Sequence, residues 1–267
     1  MHESKKLDLM LFKAKAKKDI PGYISARKRR AFISPFDYYR LVLMKEIFLK
    51  YLPGGRMLDI GANIGAMSGV YKSRCSEVIL SDIDEFIINS ANRENELDNG
   101  ENLRYVCADA KNLAFKDRRF NAIVNLETIE HLPACDQEQV IEEMLRVTRE
   151  GGTIFLSTPN SFSLAGLEGK LMELIKRGFK WTAWDPDHKC VYSSFGFINF
   201  LKRFDNKLQI EEVYGSYFLP GSITVRMPFF IHRVLGYVSY LMAKASRYLL
   251  PLRYTGFTII VILKKRV

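Results

Sequence analysis

Residues 57–65, MLDIGANIG, decide the fold of this chain. A short apolar strand ends in an acid, Asp59, and Gly61 and Gly65 punctuate the turn that follows. Glycine lets backbone approach a bound molecule closely, because no Cβ stands in the way. Strand, glycine turn and helix form the entrance of a nucleotide-binding α/β unit. The spacing narrows the guest. A dinucleotide loop places glycines at 61, 63 and 66, whereas this chain carries Gly61, Asn63 and Ala66, with Gly65 one step early.

Outward from this turn, strands and helices alternate. The pattern predicts strands at 57–60, 77–81, 103–107, 120–125 and 153–157. Helices are expected at 65–74, about 84–97, and 136–149, the last stopped by Glu150–Gly151–Gly152. Such alternation argues a parallel, doubly wound sheet. Beyond Pro159 the pattern changes. A helix is expected over 193–204 and a sixth strand over 208–214. Residues 256–263, GFTIIVIL, form a β-branched run that reads as a buried last strand. An insertion at 218–251 separates these two strands. Its apolar middle is interrupted by His232, Arg233, Lys244 and Arg247, and its longest uncharged stretch, 234–243, is too short for a span of ~20 residues. One or two amphipathic helices are expected there.

At 267 residues the chain fits one large domain with additions. We divide it into a basic helical extension, 1–52, acting as a cap, and an α/β domain, 53–267, that includes the insertion. The extension holds KAKAKK at 13–18, RKRR at 27–30 and a helical pattern over 37–52. Cys75, Cys107, Cys135 and Cys190 show no C-x-x-C pairing, which argues for reduced thiols rather than a zinc site or disulfide framework. The lysine-rich start has no apolar core of a signal peptide, and a cytoplasmic protein is expected. Net charge is +10 and uneven. Residues 1–50 carry 13 Lys/Arg against 5 Asp/Glu, 51–160 carry 11 against 18, and 161–267 carry 16 against 7. An acidic centre between basic flanks suggests an anionic partner, either a membrane surface, a phosphorylated substrate or nucleic acid.

Four features, in order, resemble the class I S-adenosylmethionine (AdoMet) methyltransferases. MLDIGANIG resembles their D-x-G-x-G-x-G loop, with Asn63 for the middle glycine. Asn tolerates positive φ better than most residues. Asp82 ends the second strand, 23 residues after Asp59. Residues 107–115, CADAKNLAF, resemble the family's G-D-A-x-x-L-P-F, and 120–132, FNAIVNLETIEHL, its strand-four segment. The match extends through MLRVTREGGTIFLSTPN at 144–160 and is closest to the ubiquinone-biosynthesis and small-molecule O-methyltransferases. The resemblance implies a Rossmann-like doubly wound sheet of seven strands, the last antiparallel, with AdoMet as cofactor. It further implies cofactor contacts from Asp59, Gly61, Ala62, Asn63 and Gly65, ribose contact from Asp82 beside Ile83, and adenine contact from Asp109 beside Ala110. Asn125 and Leu126 lie where the family lines the methionine end.

A hydroxyl acceptor needs a base, and two of the four histidines are candidates, His188 in WDPDHKCVYS and His131. Glu127, Glu130 and His131 stand at i, i+3 and i+4, one face of a turn if it is helical. Some ubiquinone-type relatives use such a trio for a divalent metal, but a surface helix produces the same spacing by accident, and no metal is assigned. The expected reaction is O-methylation of a small-molecule, lipid-linked or glycan acceptor. An RNA or protein methyltransferase using the basic flanks and a non-catalytic AdoMet-fold scaffold are the rivals. No N-P-P-Y or D-P-P-Y tetrad follows strand four, and no RNA-binding module is evident in the flanks. The insertion reads either as an interfacial helix, placing the enzyme peripherally at the inner face of the membrane, or as an apolar lid or dimer face.

Overall fold

A computed structural model of the chain describes residues 35–65, 67–96, 102–176, 178–183, 185–219 and 228–267. The basic runs at 13–18 and 27–30, and part of the insertion at 220–227, lie outside the described residues.

Seven strands form one sheet: β1 (Gly55–Ile60), β2 (Cys75–Asp82), β3 (Leu103–Cys107), β4 (Phe120–Leu126), β5 (Thr148–Pro159), β6 (Leu208–Ser216) and β7 (Thr258–Lys265). Their order is β3-β2-β1-β4-β5-β7-β6. The first five run parallel, and β7 is antiparallel to both β5 and β6. The Rossmann-like sheet expected from the sequence, antiparallel last strand included, is therefore present. The chain reverses its winding between β1 and β4, and a ligand site is built where a doubly wound sheet does this, outside the carboxyl ends of the strands.

Alternation along each strand builds two cores, one on each face. On one face Leu58, Ile123, Ile154 and Val261 pack with Val140 and Met144 of α4 (Ala134–Val147) and with Phe197 and Leu201 of α6 (Ser194–Lys202). On the other, Met57, Val124, Phe155 and Ile260 pack with Leu43 and Phe48 of α1 (Pro35–Tyr51) and with Tyr71 of α2 (Ser68–Lys72). Ala243 of α7 (Phe229–Ser246) joins this second cluster. Phe48 meets Tyr71 and Phe155 edge to face at 5.1 and 4.9 Å, which ties α1 to the sheet. The insertion forms two helices, α7 and α8 (Leu250–Thr255).

Several expected boundaries move, each for a local reason. The helix expected from Gly65 begins at Ser68, because Gly65 sits at φ 73 and cannot join a right-handed turn. The helix expected to run to residue 149 ends at Val147, where the Thr148 hydroxyl bonds the Met144 carbonyl at 2.6 Å. Gly151, at φ 69, and Gly152 then lie inside β5, opposite an irregularity in its pairing with β4. The helix expected at about 84–97 forms as α3 (Glu85–Glu96), and a helix not foreseen in the sequence, α5 (Leu164–Ile175), follows β5. Ser163 caps it by accepting the Gly166 backbone N–H at 3.0 Å.

Candidate active site

The glycine loop leaves β1 still anchored to β2. The backbone N–H groups of Gly61 and Ala62 both donate to the Ser81 carbonyl, at 2.8 and 2.9 Å. Gly61, Asn63 and Gly65 take φ values of 72, 52 and 73. Gly61 is required for space as well as conformation, since a Cβ there would lie 2.3 Å from Thr128 Cγ2. The loop after β1 therefore rests directly on the loop after β4.

Asp59 lies beneath this turn, buried, and burial pushes its carboxyl up to about 8. The Tyr71 hydroxyl faces it, fully buried and without a hydrogen bond of ordinary length. Asp82 ends β2 above it. Its Oδ2 accepts the Asn63 N–H at 3.1 Å and its Oδ1 the Asp84 N–H at 3.0 Å. Each carboxylate oxygen keeps acceptor capacity beyond those bonds. Ile83 is 69% exposed beside this carboxylate, an apolar platform for a flat ring. Asp109 forms an Asx turn, its Oδ1 accepting the Lys111 N–H at 2.9 Å. Ala62 and Leu126 lean on one core and Ala110 on the other, so what they present to a ligand is mainly backbone.

Asn125, the penultimate residue of β4, is fully buried. Its amide donates to the Ile60 carbonyl at 3.1 Å, while its Oδ1 has no partner among the described residues. A buried acceptor without a donor is costly unless a ligand supplies one. This orphan atom, the Gly61 cradle and the Asp82 carboxylate together fit AdoMet, which carries an ammonium and two ribose hydroxyls.

The expected face of Glu127, Glu130 and His131 is not formed. Glu127 sits at φ 49, outside the single 3-10 turn Ile129–His131. Its Oε1 accepts the Ser157 hydroxyl at 2.7 Å, while Glu130 Oε2 accepts the Thr158 hydroxyl at 3.2 Å. Successive residues of a strand point to opposite faces, so β5 holds the two carboxylates apart. In place of Glu127 the fold brings in His188. Ligand-type atoms of Glu130, His131 and His188 all lie within 4.8 Å of one another, a set chemically adequate for a divalent metal. The two rings are 4.7 Å apart, and His188 Nε2 is 3.8 Å from Glu130 Oε1, which has no hydrogen bond. His188 Nδ1 lies 2.8 Å from the Thr182 carbonyl. A carbonyl only accepts, so in the neutral ring the proton sits on Nδ1 and Nε2 keeps its lone pair. Burial holds the Glu130 carboxyl well above the usual range, reinforced by Glu127. Desolvation, and then His188, lower the His131 pKa.

One organising residue escaped the sequence reading. Asn160 is fully buried at the end of β5. Its amide donates to the carbonyls of Phe162, Tyr254 and Gly256, and its Oδ1 accepts from Phe162 and Ser194. It pins the start of α6 and the β7 approach beside the site. The only sequence signal is its place directly after Pro159 at a strand end.

Residues 58–156 match the model of a methyltransferase domain family. A ubiquinone biosynthesis O-methyltransferase of Pseudomonas fluorescens is 31% identical over 134 residues, covering 48% of this chain and 56% of that protein. A ubiquinone/menaquinone biosynthesis C-methyltransferase of Ectopseudomonas mendocina is 31% identical over 142 residues, covering 45% and 53%. The chain thus spans about half the length of the curated relatives it matches. Among solved structures, the N-methyltransferase NodS of Bradyrhizobium japonicum, in complex with S-adenosylhomocysteine, superposes with a TM-score of 0.56 at 12% identity, covering 89% of this chain and 90% of that one. Domain match and fold are those of the class I AdoMet-dependent methyltransferases, and AdoMet is the cofactor they indicate.

Proposed function

We propose that this chain transfers a methyl group from AdoMet to a hydroxyl oxygen of a small-molecule, lipid-linked or glycan acceptor. The contact between Gly61 and Thr128 carries this reading. It brings the cofactor loop against a segment that reaches His131 three residues later, so donor site and candidate base are neighbours.

When bound, AdoMet supplies a methyl group already activated by its sulfonium and leaves as S-adenosylhomocysteine. Asp82 would hold the ribose hydroxyls, Ile83 and Asp109 the adenine, and the Gly61–Gly65 turn with Asn125 the methionine end. Asp59 would support the turn from below. His131, neutral at physiological pH, would take the acceptor's proton as the oxygen forms its new bond to carbon. His188, fixed through Nδ1, would position that ring. Alignment contributes up to ~7–11 kcal/mol to such a reaction, and a base about 10²–10⁴-fold.

The division into a cap, 1–52, and a methyltransferase domain, 53–267, belongs to the same proposal. Helices α1 and α7 pack together around a cavity of about 10 Å³ beside Tyr39, Ser216, Tyr217 and Tyr240, room for no more than a water, so the acceptor would have to approach outside this contact. Incubation with methyl-labelled AdoMet and lipid, glycan, RNA and protein fractions tests the acceptor class. Alkali-stable label on lipid or glycan that hydriodic acid releases as methyl iodide supports O-methylation, whereas label confined to RNA or protein would sink it in favour of the reading built on the basic flanks.

A further inference from the structure

Helix α5 is amphipathic in the wrong direction. It buries Ala165, Gly166 and Gly169. A Cβ on Gly166 would meet the Ser161 carbonyl oxygen at 2.1 Å, and one on Gly169 the Trp181 ring at 2.2 Å. These small residues seat the helix flush against the protein and fix which face looks out. The outward face carries Leu164, Leu167, Leu171, Leu174 and Ile175, exposed by 53, 65, 54, 84 and 72%. Their spacing places them on one arc about 100° wide, the width of the stripe a helix normally turns inward.

The apolar surface continues past the helix. Phe162 meets Phe195 at 5.3 Å, both about half exposed, and Phe195 stacks on Tyr254 of α8 at 5.0 Å. Helix α7 repeats the inversion. It buries Gly236, Ser239, Ala243 and Ser246 and exposes Phe230, Val234, Tyr237, Val238 and Leu241. Contiguous apolar surface of this kind marks a docking site.

Charge selects the occupant. From 164 to 180 the exposed charges among the described residues are Lys170, Lys176 and Lys180. Of the acids of α5, Glu173 accepts the Trp181 backbone N–H away from this face, and Glu168, half-buried, borders the leucine stripe beside Leu164 and Ile175. On α7 the exposed charges are Arg233 and Lys244; the helix has no acid, but Lys244 pairs with Glu46 of α1 at 3.1 Å. A second copy would bring Lys170, Lys176, Lys180 and Arg233 to the contact, against one half-buried carboxylate, Glu168, at the edge of the leucine face. An anionic leaflet supplies the complement. No helix among the described residues is long and apolar enough to cross a membrane, so α5 lies in the interface plane.

We infer that α5 docks this protein on an anionic lipid bilayer through its leucine face. Helix α5 starts five residues after Pro159, at the end of the strand whose Ser157 and Thr158 hold the loop of Glu127 to His131. Docking therefore sets the candidate site beside the lipid surface and favours a lipid-linked acceptor. Only that last step rests on the proposed methyl transfer.

Vesicle flotation of the full chain tests the inference. Wild type is expected to co-float with phosphatidylcholine vesicles containing phosphatidylglycerol, and far less with phosphatidylcholine alone. Leu171→Glu with Leu174→Glu should lower the bound fraction about tenfold or more, and Lys170→Glu with Lys176→Glu should lower it for the anionic vesicles. Both variants should keep wild-type circular dichroism and AdoMet affinity, since these side chains face solvent. Wild type left in the unbound fraction with anionic vesicles, or a leucine variant that floats like wild type, overturns the inference. So does a concentration-dependent dimer that the leucine substitutions dissolve, which would assign the face to a second copy. Flotation without AdoMet binding would instead remove the methyltransferase reading and leave the docking face standing.

Discussion

His131 and His188 stand edge to face, their ring centroids 4.7 Å apart, although 57 positions separate them in the chain. The pair joins the loop after β4 to the segment before α6, and Glu130 closes the group from below, its Oε1 3.8 Å from His188 Nε2. Each ring burdens the other with a neighbouring cation if both are protonated, which is why His188 lowers the His131 pKa. A lowered pKa keeps the basic form present to lower pH than for an ordinary histidine. Activity should accordingly reach its plateau below neutral pH. His131→Gln should reduce kcat by about 10²–10⁴-fold with AdoMet affinity unchanged. His188→Ala should move the acidic limb of the profile upward, because it removes one cause of the depression. A wild-type kcat in His131→Gln would end its assignment as base.

Gly61→Ala combines a left-handed φ with a collision against Thr128. The strained backbone alone costs about 1–3 kcal/mol, and the displaced loop should weaken AdoMet binding. Thr128→Ala in the same chain frees the space without relieving φ. A double-mutant cycle should therefore show coupling of about 0.5–3 kcal/mol with incomplete recovery. Strictly additive effects in chemical denaturation would mean that the two loops do not bear on each other.

Asp59 carries a folded-state pKa pushed up to about 8. The native state holds its proton where the unfolded chain, near ~3.9, has lost it. That contribution to stability is full below the unfolded value and is lost as pH rises through the folded one. Asp59→Asn keeps a neutral group in place and removes the titration. Its Tm relative to wild type should rise steadily between about pH 5 and 8 and level off above. Parallel Tm curves across that range would contradict the buried, protonated carboxyl.

The inverted helix makes opposite demands on its two faces. Gly169→Val drives a side chain into Trp181, and overpacking of this kind costs about 1–3 kcal/mol. Leu174→Ala, on the exposed face, should change stability by no more than about 0.5 kcal/mol in the absence of lipid. Equal losses from the two substitutions in urea unfolding would show that the leucine face is packed against protein.

The parallel strands were legible because strands buried on both faces read as continuous apolar runs, and ILSD and AIVN carry Asp82 and Asn125 at their ends. Asn63 at φ 52 was legible too, since asparagine is the residue that replaces glycine in such a turn. Helix α5 was not. Period-based reading assigns the apolar stripe to the core, and here small residues take the core while leucines face out. The trio of Glu127, Glu130 and His131 presupposed a helix, but the positive φ at Glu127 breaks the turn before it forms. Nothing local in WDPDHKCVYS announces that His188 replaces Glu127, because that contact depends on the backbone N–H groups of Lys189 and Cys190 reaching the Glu130 carbonyl at 2.8 and 3.0 Å.

In the proposed function the turn at Gly61–Gly65 and the Asp82 carboxylate form an AdoMet site. Calorimetric titration of AdoMet into wild type and Asp82→Ala tests it most directly. Saturable binding by wild type is expected, weakened about a hundredfold in the variant, because two charge-assisted hydrogen bonds to ribose are lost. No heat of binding with wild type, or equal affinity for the two proteins, would contradict it.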